Sequence, residues 1–356
     1  MSKGKVIIGM SGGVDSSTAA YLLKEEGYEV IGVTMGMWQE PGETEGCGNL
    51  SAVKDASHVA EKLGIEFHVL DFRKEFRENV VDYFINSYER GMTPNPCIAC
   101  NRHVKWAALL DYANKIGADY IATGHYARIE KHPVTGRYSI KASVTATKDQ
   151  TYALYRLTQE QLERTLMPVG SYEKDEIRKI AANIDDFIAK KSDSQDICFI
   201  PDNDYKGFLE KEQKDIFKPG DFVDESGRVI GRHQGIAAYT VGQRRGLNLG
   251  GPGGPYYVTA LDVEHNRVIV GSEKDLFSKT VEASEATWVE QVPTAPFRAL
   301  GKIRYAANES PCTVYPDGDD MRVEFDEAQR AVTAGQALVL YDEETGERVL
   351  GGGVIQ

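Results

Sequence analysis

Two short stretches of this 356-residue chain hold residue types at spacings that could do chemistry. The first is Met92-Thr93-Pro94-Asn95-Pro96-Cys97-Ile98-Ala99-Cys100-Asn101, where two of the five cysteines stand three apart in a Pro-rich loop. A C-x-x-C pair can be a redox couple, half of a metal site or a coincidence. The second is Gly9-Met10-Ser11-Gly12-Gly13-Val14-Asp15-Ser16-Ser17. Its glycines allow a tight turn and close approach to an anion, and amides at a following helix start would face phosphates. Ser11 and Ser16 add hydroxyl donors, and Asp15 would orient the loop or meet a metal ion carried by the phosphates. No G-K-[ST] follows and the G-x-G-x-x-G spacing is absent, so neither the Walker nor the dinucleotide pattern applies.

The elements that must position these residues alternate. Residues 6–9 form a short apolar stretch ahead of the glycines, residues 15–26 have a helical apolar pattern closed by Gly27, and residues 30–35 are a second apolar strand. This predicts a βαβ unit and a parallel sheet. Helix over 51–63, strand over 66–70, helices over 74–90 and 104–116 and strand over 120–123 continue the alternation, which predicts a doubly wound α/β domain. Ligands of such sheets lie beyond the carboxyl ends of the strands, so the segments after Gly9, Met35 and Thr123 are the places to look. Residues 126–146 alternate around Val134-Thr135-Gly136 and predict an inserted hairpin, and 173–190 one more helix. From Lys218 onward, alternating strands and Gly-rich turns dominate. The expected organisation is a catalytic domain over 1–205, a small β-rich domain over 206–274 and a β-barrel over 275–356.

A net charge of −13 argues against nonspecific coating of nucleic acid but leaves room for a local basic face. Arg244, Arg245, Arg298, Lys302 and Arg304 are candidates for one. No apolar run approaches the ~20 residues that span a bilayer. The first residues do not read as a signal peptide, and five scattered cysteines are no disulfide framework, so a cytoplasmic protein is expected.

The loop Ser11-Gly12-Gly13-Val14-Asp15-Ser16 resembles that of the ATP pyrophosphatases. Further segments narrow the resemblance: Asn95-Pro96-Cys97-Ile98-Ala99-Cys100-Asn101, Thr123-Gly124-His125-Tyr126, Lys148-Asp149-Gln150-Thr151-Tyr152, Ser194-Gln195-Asp196-Ile197-Cys198-Phe199-Ile200, Tyr239 through Gly246, Arg304-Tyr305 and Leu350-Gly351-Gly352-Gly353. In this order they resemble the tRNA-specific 2-thiouridylase (MnmA) family over essentially the whole chain. The resemblance implies an adenine nucleotide alpha hydrolase-like fold, and replacement by sulfur of O2 in the wobble uridine (U34) of tRNAs of the Lys, Glu and Gln type. It implies ATP and Mg²⁺ as cofactors and a sulfur donor protein as partner, and no membrane.

By the family pattern, Cys198 carries a persulfide and Cys100 is its catalytic partner. Gly9, Met10, Ser11, Gly12, Gly13, Val14, Asp15, Ser16, Met35 and Gly124 match ATP-binding positions, and Asn95, Pro96 and Cys97 face the target base. His125, Lys148, Asp149, Gln150, Arg304, Tyr305 and Gln336 match tRNA contacts. One position departs: many members carry aspartate where this chain has Cys97. Three thiolates, from Cys97, Cys100 and Cys198, could instead hold a [4Fe-4S] cluster with one open iron. On composition alone, Cys198 among Ile197, Phe199 and Ile200 reads as a buried structural cysteine. Cys47 and Cys312 are assigned no role.

Overall fold

The computed structural model describes residues 2–38, 50–191, 197–250 and 254–356; Cys47, Ser194, Gln195, Asp196 and residues 251–253 lie outside them. The chain begins as expected, with β1 (Lys5–Gly9), helix α1 (Val14–Glu25), β2 (Glu29–Gly36), helix α2 (Leu50–Leu63), β3 (Glu66–Asp71) and, after a long helical stretch, β4 (Tyr120–Ala122). It then leaves the sheet as a hairpin of β5 (Ala127–Lys131) and β6 (Tyr138–Ala142) and returns as β7 (Thr165–Leu166). The sheet is parallel throughout, in the order β3-β2-β1-β4-β7. Both its faces are covered, which is why its central strands are apolar without alternation. Ile7, Ile31, Val33 and Ile121 pack on one side, and Val6, Ile8, Val30 and Ala122 on the other. The strand order reverses between β1 and β4, and the crevice beyond their carboxyl ends is where the loop of residues 9–16 lies.

The stretch read as a Pro-rich loop is in part a helix. It starts at Pro96, eight residues before the predicted start at 104, and runs through Pro96–Cys100, a π-helical segment Asn101–Trp106 and Ala107–Ile116. Asn95, extended at φ −108°, caps it by accepting the Cys97 amide at 3.1 Å, and Pro96 occupies the first helical position, where its missing N–H costs nothing. Periodicity did not show this start because cap and proline, rather than an apolar stripe, define it. Trp106, fully buried, donates its indole N–H to Thr165 Oγ1 at 2.8 Å and ties the π-helical segment to β7. The helix predicted over 173–190 is broken in two, Lys174–Ile184 and Asp186–Ala189, because Asp185 leaves helical geometry and caps the second piece.

A four-stranded sheet of β8 (Gly220–Val223), β9 (Val229–His233), β10 (Tyr257–Asp262) and β11 (Arg267–Gly271) follows, in the order β10-β11-β8-β9. The last strands, β12 (Phe277–Trp288), β13 (Phe297–Lys302), β14 (Ser310–Asp317), β15 (Asp320–Arg330), β16 (Ala337–Tyr341) and β17 (Arg348–Ile355), close on themselves through pairing of β12 with β17. This is a six-stranded antiparallel barrel. The inserted hairpin extends the barrel rather than the parallel sheet: Ile140 of β6 pairs with Val349 of β17. Among the described residues no helix is long and apolar enough to cross a membrane.

Candidate active site

The loop after β1 is held by its own backbone and by three distant groups. Ser16 Oγ accepts the Ser11 amide at 3.2 Å, and the Met10 amide reaches the Val33 carbonyl at 2.8 Å. Gly12 has φ +70°, and a Cβ there would sit 2.8 Å from the Ala52 carbonyl oxygen, so only glycine is accommodated. Gly124, just past β4, lies against the start of α1: a Cβ would stand 2.7 Å from the Ser16 nitrogen and 2.8 Å from the Asp15 carbonyl carbon. The positions after β1 and after β4 are thus one site. Met35, at the end of β2, reaches the same region, its methyl 3.4 Å from where a Gly9 Cβ would lie.

Asp15 is an orienting residue. Its Oδ1 accepts Tyr126 Oη and Lys174 Nζ, both at 2.7 Å. Lys191 Nζ donates to the Gly12 carbonyl at 2.9 Å and also pairs with Asp55. Lys174 and Lys191 bring two cations to a phosphate-sized turn. Sequence spacing could not reveal either, because both come from residues more than 150 positions away.

The cysteines lie beyond the ends of β2 and β4. Cys100 is buried, and its Sγ is 3.8 Å from the sulfur of Met37, one residue past β2. Burial pushes its thiol up to about 12, against a smaller opposing effect of Lys105. Cys198 is close enough to Cys97 and Cys100 for their charges to interact, although a hundred positions separate it from them. The expectation of a buried Cys198 is not met. Cys198 is exposed at a turn, while Phe199 beside it anchors the turn by packing on Phe76, Phe84, Phe208 and Trp38. Enough protein still surrounds the Cys198 thiol to raise its pKa, with Cys97 adding to the effect. Cys97 is exposed, one turn before Cys100 on the same short helix. The thiols are free, and among the described residues no three His, Cys, Asp or Glu side chains converge closely enough to hold a metal ion. The three cysteines therefore do not form a ready-made ligand set for a cluster. Cys312 is a core residue of the barrel, its thiol donating to the Ala299 carbonyl at 3.4 Å.

His125 follows Gly124, just past the end of β4. Its Nδ1 is 2.8 Å from Thr123 Oγ1, and its ring packs on Trp106 with centroids 5.4 Å apart. Burial, with the nearby Lys105 charge adding to it, holds the imidazole well below its ordinary range, so the ring is neutral near pH 7.

The residues matched to RNA contacts divide into two kinds. Tyr305 is half-exposed on the barrel, donates to the Asp149 carbonyl at 3.2 Å and lies within charge range of Cys97 and Lys148. Arg304 beside it is exposed. The side chains of Asp149, Gln150 and Gln336 instead hold backbone. Asp149 accepts the Ser143 and Thr151 amides at 2.9 and 3.1 Å, Gln150 the Tyr126 amide at 2.9 Å, and Gln336 donates to the Thr93 carbonyl at 2.8 Å. Thr93 also meets Thr240 at 3.3 Å, so both β regions grip the turn leading into the cysteine helix. The basic residues noted in the sequence do not form one free track: Arg298 pairs with Asp326 and Glu343, and Lys302 with Glu309. Arg244 and Arg245 are exposed in a turn.

Family models match the chain end to end: a tRNA methyl transferase HUP domain over residues 4–202, a tRNA methyl transferase PRC-barrel domain over 206–272 and an aminomethyltransferase beta-barrel domain over 278–355. The chain is 52% identical to a tRNA-specific 2-thiouridylase MnmA of Clostridioides difficile, covering 99% of this chain and 98% of that one. It is 53% identical to the protein of that name from Lachnoclostridium phytofermentans, covering 99% of both chains. Among solved structures, a 4-thiouridine synthetase in complex with RNA and ATP matches with a TM-score of 0.34 and 21% identity, over 59% of this chain and 50% of that one. With half of its residues identical to those of full-length relatives across its whole length, the chain belongs to the tRNA-specific 2-thiouridylase family.

Proposed function

We propose that the protein thiolates C2 of the wobble uridine of tRNA at the expense of ATP. One observation carries this reading beyond family membership. A buried thiol and an exposed thiol, distant in sequence, are close enough for their charges to interact, and the buried one lies 3.8 Å from Met37, just past the carboxyl end of β2.

The carbonyl oxygen of a uracil is a poor leaving group. Transfer of AMP from ATP to O2, with release of pyrophosphate, makes it a good one. The loop of residues 9–16 with Gly124 would cradle the pyrophosphate, Met35 would lie against the adenine, and Lys174 and Lys191 would balance the charge. A Mg²⁺ ion would draw most of its ligands from phosphates and water, and Asp15 is the carboxylate at hand.

Sulfur then arrives on Cys198, whose exposure lets a donor protein load it as a persulfide. The terminal sulfur attacks C2 and the C2–O bond breaks, expelling AMP. The Cys100 thiolate next attacks Cys198 Sγ; the S–S bond to the transferred sulfur breaks, and the uridine leaves with its thiocarbonyl. Two cysteines are oxidised to a Cys100–Cys198 disulfide as the sulfane sulfur is reduced, and an external dithiol restores them. Tyr305 has an aromatic face for a base and Arg304 a guanidinium for phosphate. Asp149, Gln150 and Gln336 would shape this surface through the backbone they hold.

Unmodified tRNA incubated with the protein, ATP, Mg²⁺ and a sulfur donor should yield 2-thiouridine on nucleoside analysis, with pyrophosphate released. Pyrophosphate release without 2-thiouridine, in the presence of a competent donor, would sink the reading.

A further inference from the structure

A chain of hydrogen bonds runs from the exposed barrel surface to the phosphate loop. Tyr126, in its middle, is among neither the ATP-binding nor the RNA-contact positions that the family pattern marks. The chain starts at Tyr305, half-exposed, whose hydroxyl donates to the Asp149 carbonyl at 3.2 Å. The same peptide unit carries the Gln150 N–H, which donates to the Tyr126 carbonyl at 3.0 Å. A peptide is planar, so its carbonyl and its N–H move together. The Gln150 side chain closes the grip, its Oε1 accepting the Tyr126 amide at 2.9 Å. Both backbone groups of Tyr126 are therefore held by Gln150. The Tyr126 side chain, in a residue only 2% exposed, donates its hydroxyl to Asp15 Oδ1 at 2.7 Å. Lys174 Nζ donates to the same oxygen at 2.7 Å and lies 5.4 Å from the centre of the Tyr126 ring. Asp15 stands in the first turn of α1, directly after the glycines of the loop.

Packing alone needs no hydroxyl here, since phenylalanine would fill the same buried space. The hydroxyl gives its one proton to a loop carboxylate, a charge-assisted bond that fixes the direction of that carboxylate. We propose that Tyr126 is a positioning residue that couples the RNA-facing turn to the phosphate loop. RNA that engages Tyr305 sets the 149–150 peptide. Gln150 passes that setting to the Tyr126 backbone, and the Tyr126 hydroxyl orients Asp15 for ATP. Gln150 thus serves the ATP site from the RNA side rather than reading RNA itself. Coupling of this kind is reciprocal: ATP tightens RNA by the factor by which RNA tightens ATP.

This inference rests on the thiolation reading, and the test separates the two. The affinity for unmodified tRNA is measured with and without α,β-methylene ATP, whose α–β bridge resists cleavage. The proteins compared are the unaltered chain, Tyr126→Phe, Gln150→Ala, Gln150→Glu and the double variant Tyr126→Phe with Gln150→Ala. In the unaltered protein the analogue should tighten tRNA about 10-fold. In Tyr126→Phe the tightening should shrink to within about twofold of none, and pyrophosphate release at saturating ATP and tRNA should fall about 10-fold. Affinity for tRNA alone should stay within about twofold, which also reports that the variant is folded. Gln150→Ala should lose the same coupling, and Gln150→Glu, which keeps the acceptor for the Tyr126 amide, should recover it. The double variant should be no worse than either single one, because both break one chain. If coupling follows Tyr126 while the unaltered protein makes no 2-thiouridine with a competent donor, the thiolation reading fails and Tyr126 keeps its role. The proposal is overturned if the analogue leaves tRNA affinity of the unaltered protein unchanged, or tightens it equally in Tyr126→Phe. It is equally overturned if Gln150→Ala and Gln150→Glu both weaken tRNA alone, making Gln150 an RNA contact, or if the two single losses add in the double variant.

Discussion

The glycine-rich loop and the cysteine site both follow strand ends of the parallel sheet but are built in opposite ways. The loop of residues 9–16 is shaped by its own consecutive backbone, and its neighbours Gly124, Lys174 and Lys191 hold that shape. The cysteine site has no local shape. It exists because a capped helix, a turn anchored by Phe199 and the segment after β4 converge, and its chemistry depends on how deeply each thiol lies. A receptor for phosphate can be made of amides, whereas a nucleophile must be tuned by burial and charge.

The sharpest way to break this contrast is to remove one sulfur. Cys198→Ala should abolish 2-thiouridine formation, with a loss of at least ~1000-fold, while ATP-dependent pyrophosphate release continues. Cys198 is exposed, so the protein should keep its thermal midpoint. Parallel loss of pyrophosphate release would show that the two regions are one catalytic unit.

The reciprocal lesion is Gly124→Ala. Its Cβ would press on the Ser16 nitrogen and Asp15 backbone, where no flexible side chain can yield. Displacing the start of α1 by even a fraction of an ångström misaligns the anion receptor, and pyrophosphate release should fall ~100-fold. Cys198 labelling should be unchanged, since the lesion stays within the loop. Coupled loss of both would refute the division into two sites.

Legibility followed the same division. The turn of the loop and the parallel sheet were readable because glycines and unbroken apolar strands are local signals. The pairing of Ile140 with Val349 and the approach of Lys174 to Asp15 were not, because nothing within a window of residues encodes a partner that far away. Cys198 was misread from its neighbours: Phe199 and Ile200 are buried, yet a turn lifts the sulfur out of the core they form. The helix at Pro96 was hidden by its own proline, which reads as a breaker and acts as a first helical residue.

The cysteine site should also respond to pH as the loop does not. Burial pushes the Cys100 thiol up to about 12, and the disulfide-forming step uses its thiolate. Below that value the thiolate fraction rises about tenfold per pH unit. The single-turnover rate of sulfur release, started from persulfide-loaded protein, should therefore climb with pH between 7 and 9. Pyrophosphate release should be nearly flat over the same range. A flat sulfur-release profile would mean that bound RNA has already brought Cys100 into its thiolate form.

The smallest effect is expected at Cys97, and it decides how far the two-cysteine chemistry suffices. Cys97 shares a short helix with Cys100, but the Asn95 cap and Pro96 set that helix through the Cys97 amide, not its thiol. Removing the sulfur therefore leaves the helix start intact. Exposed as it is, the thiol contributes little packing, so Cys97→Ala should keep the thermal midpoint within a degree or two, about 0.5 kcal/mol. Cys97 disfavours charge on Cys198, so its loss should leave the sulfur-transfer rate within about threefold, on the faster side if it changes at all. Cys97→Asp places a negative charge beside Cys198 and should give the slowest rate of the three forms. If Cys97→Ala instead stops thiolation as completely as Cys198→Ala, and anaerobically prepared protein holds iron that the variant loses, three cysteines rather than two carry the sulfur. The receptor and relay contrast would then have to be redrawn around a cluster that assembles only when its metal is present.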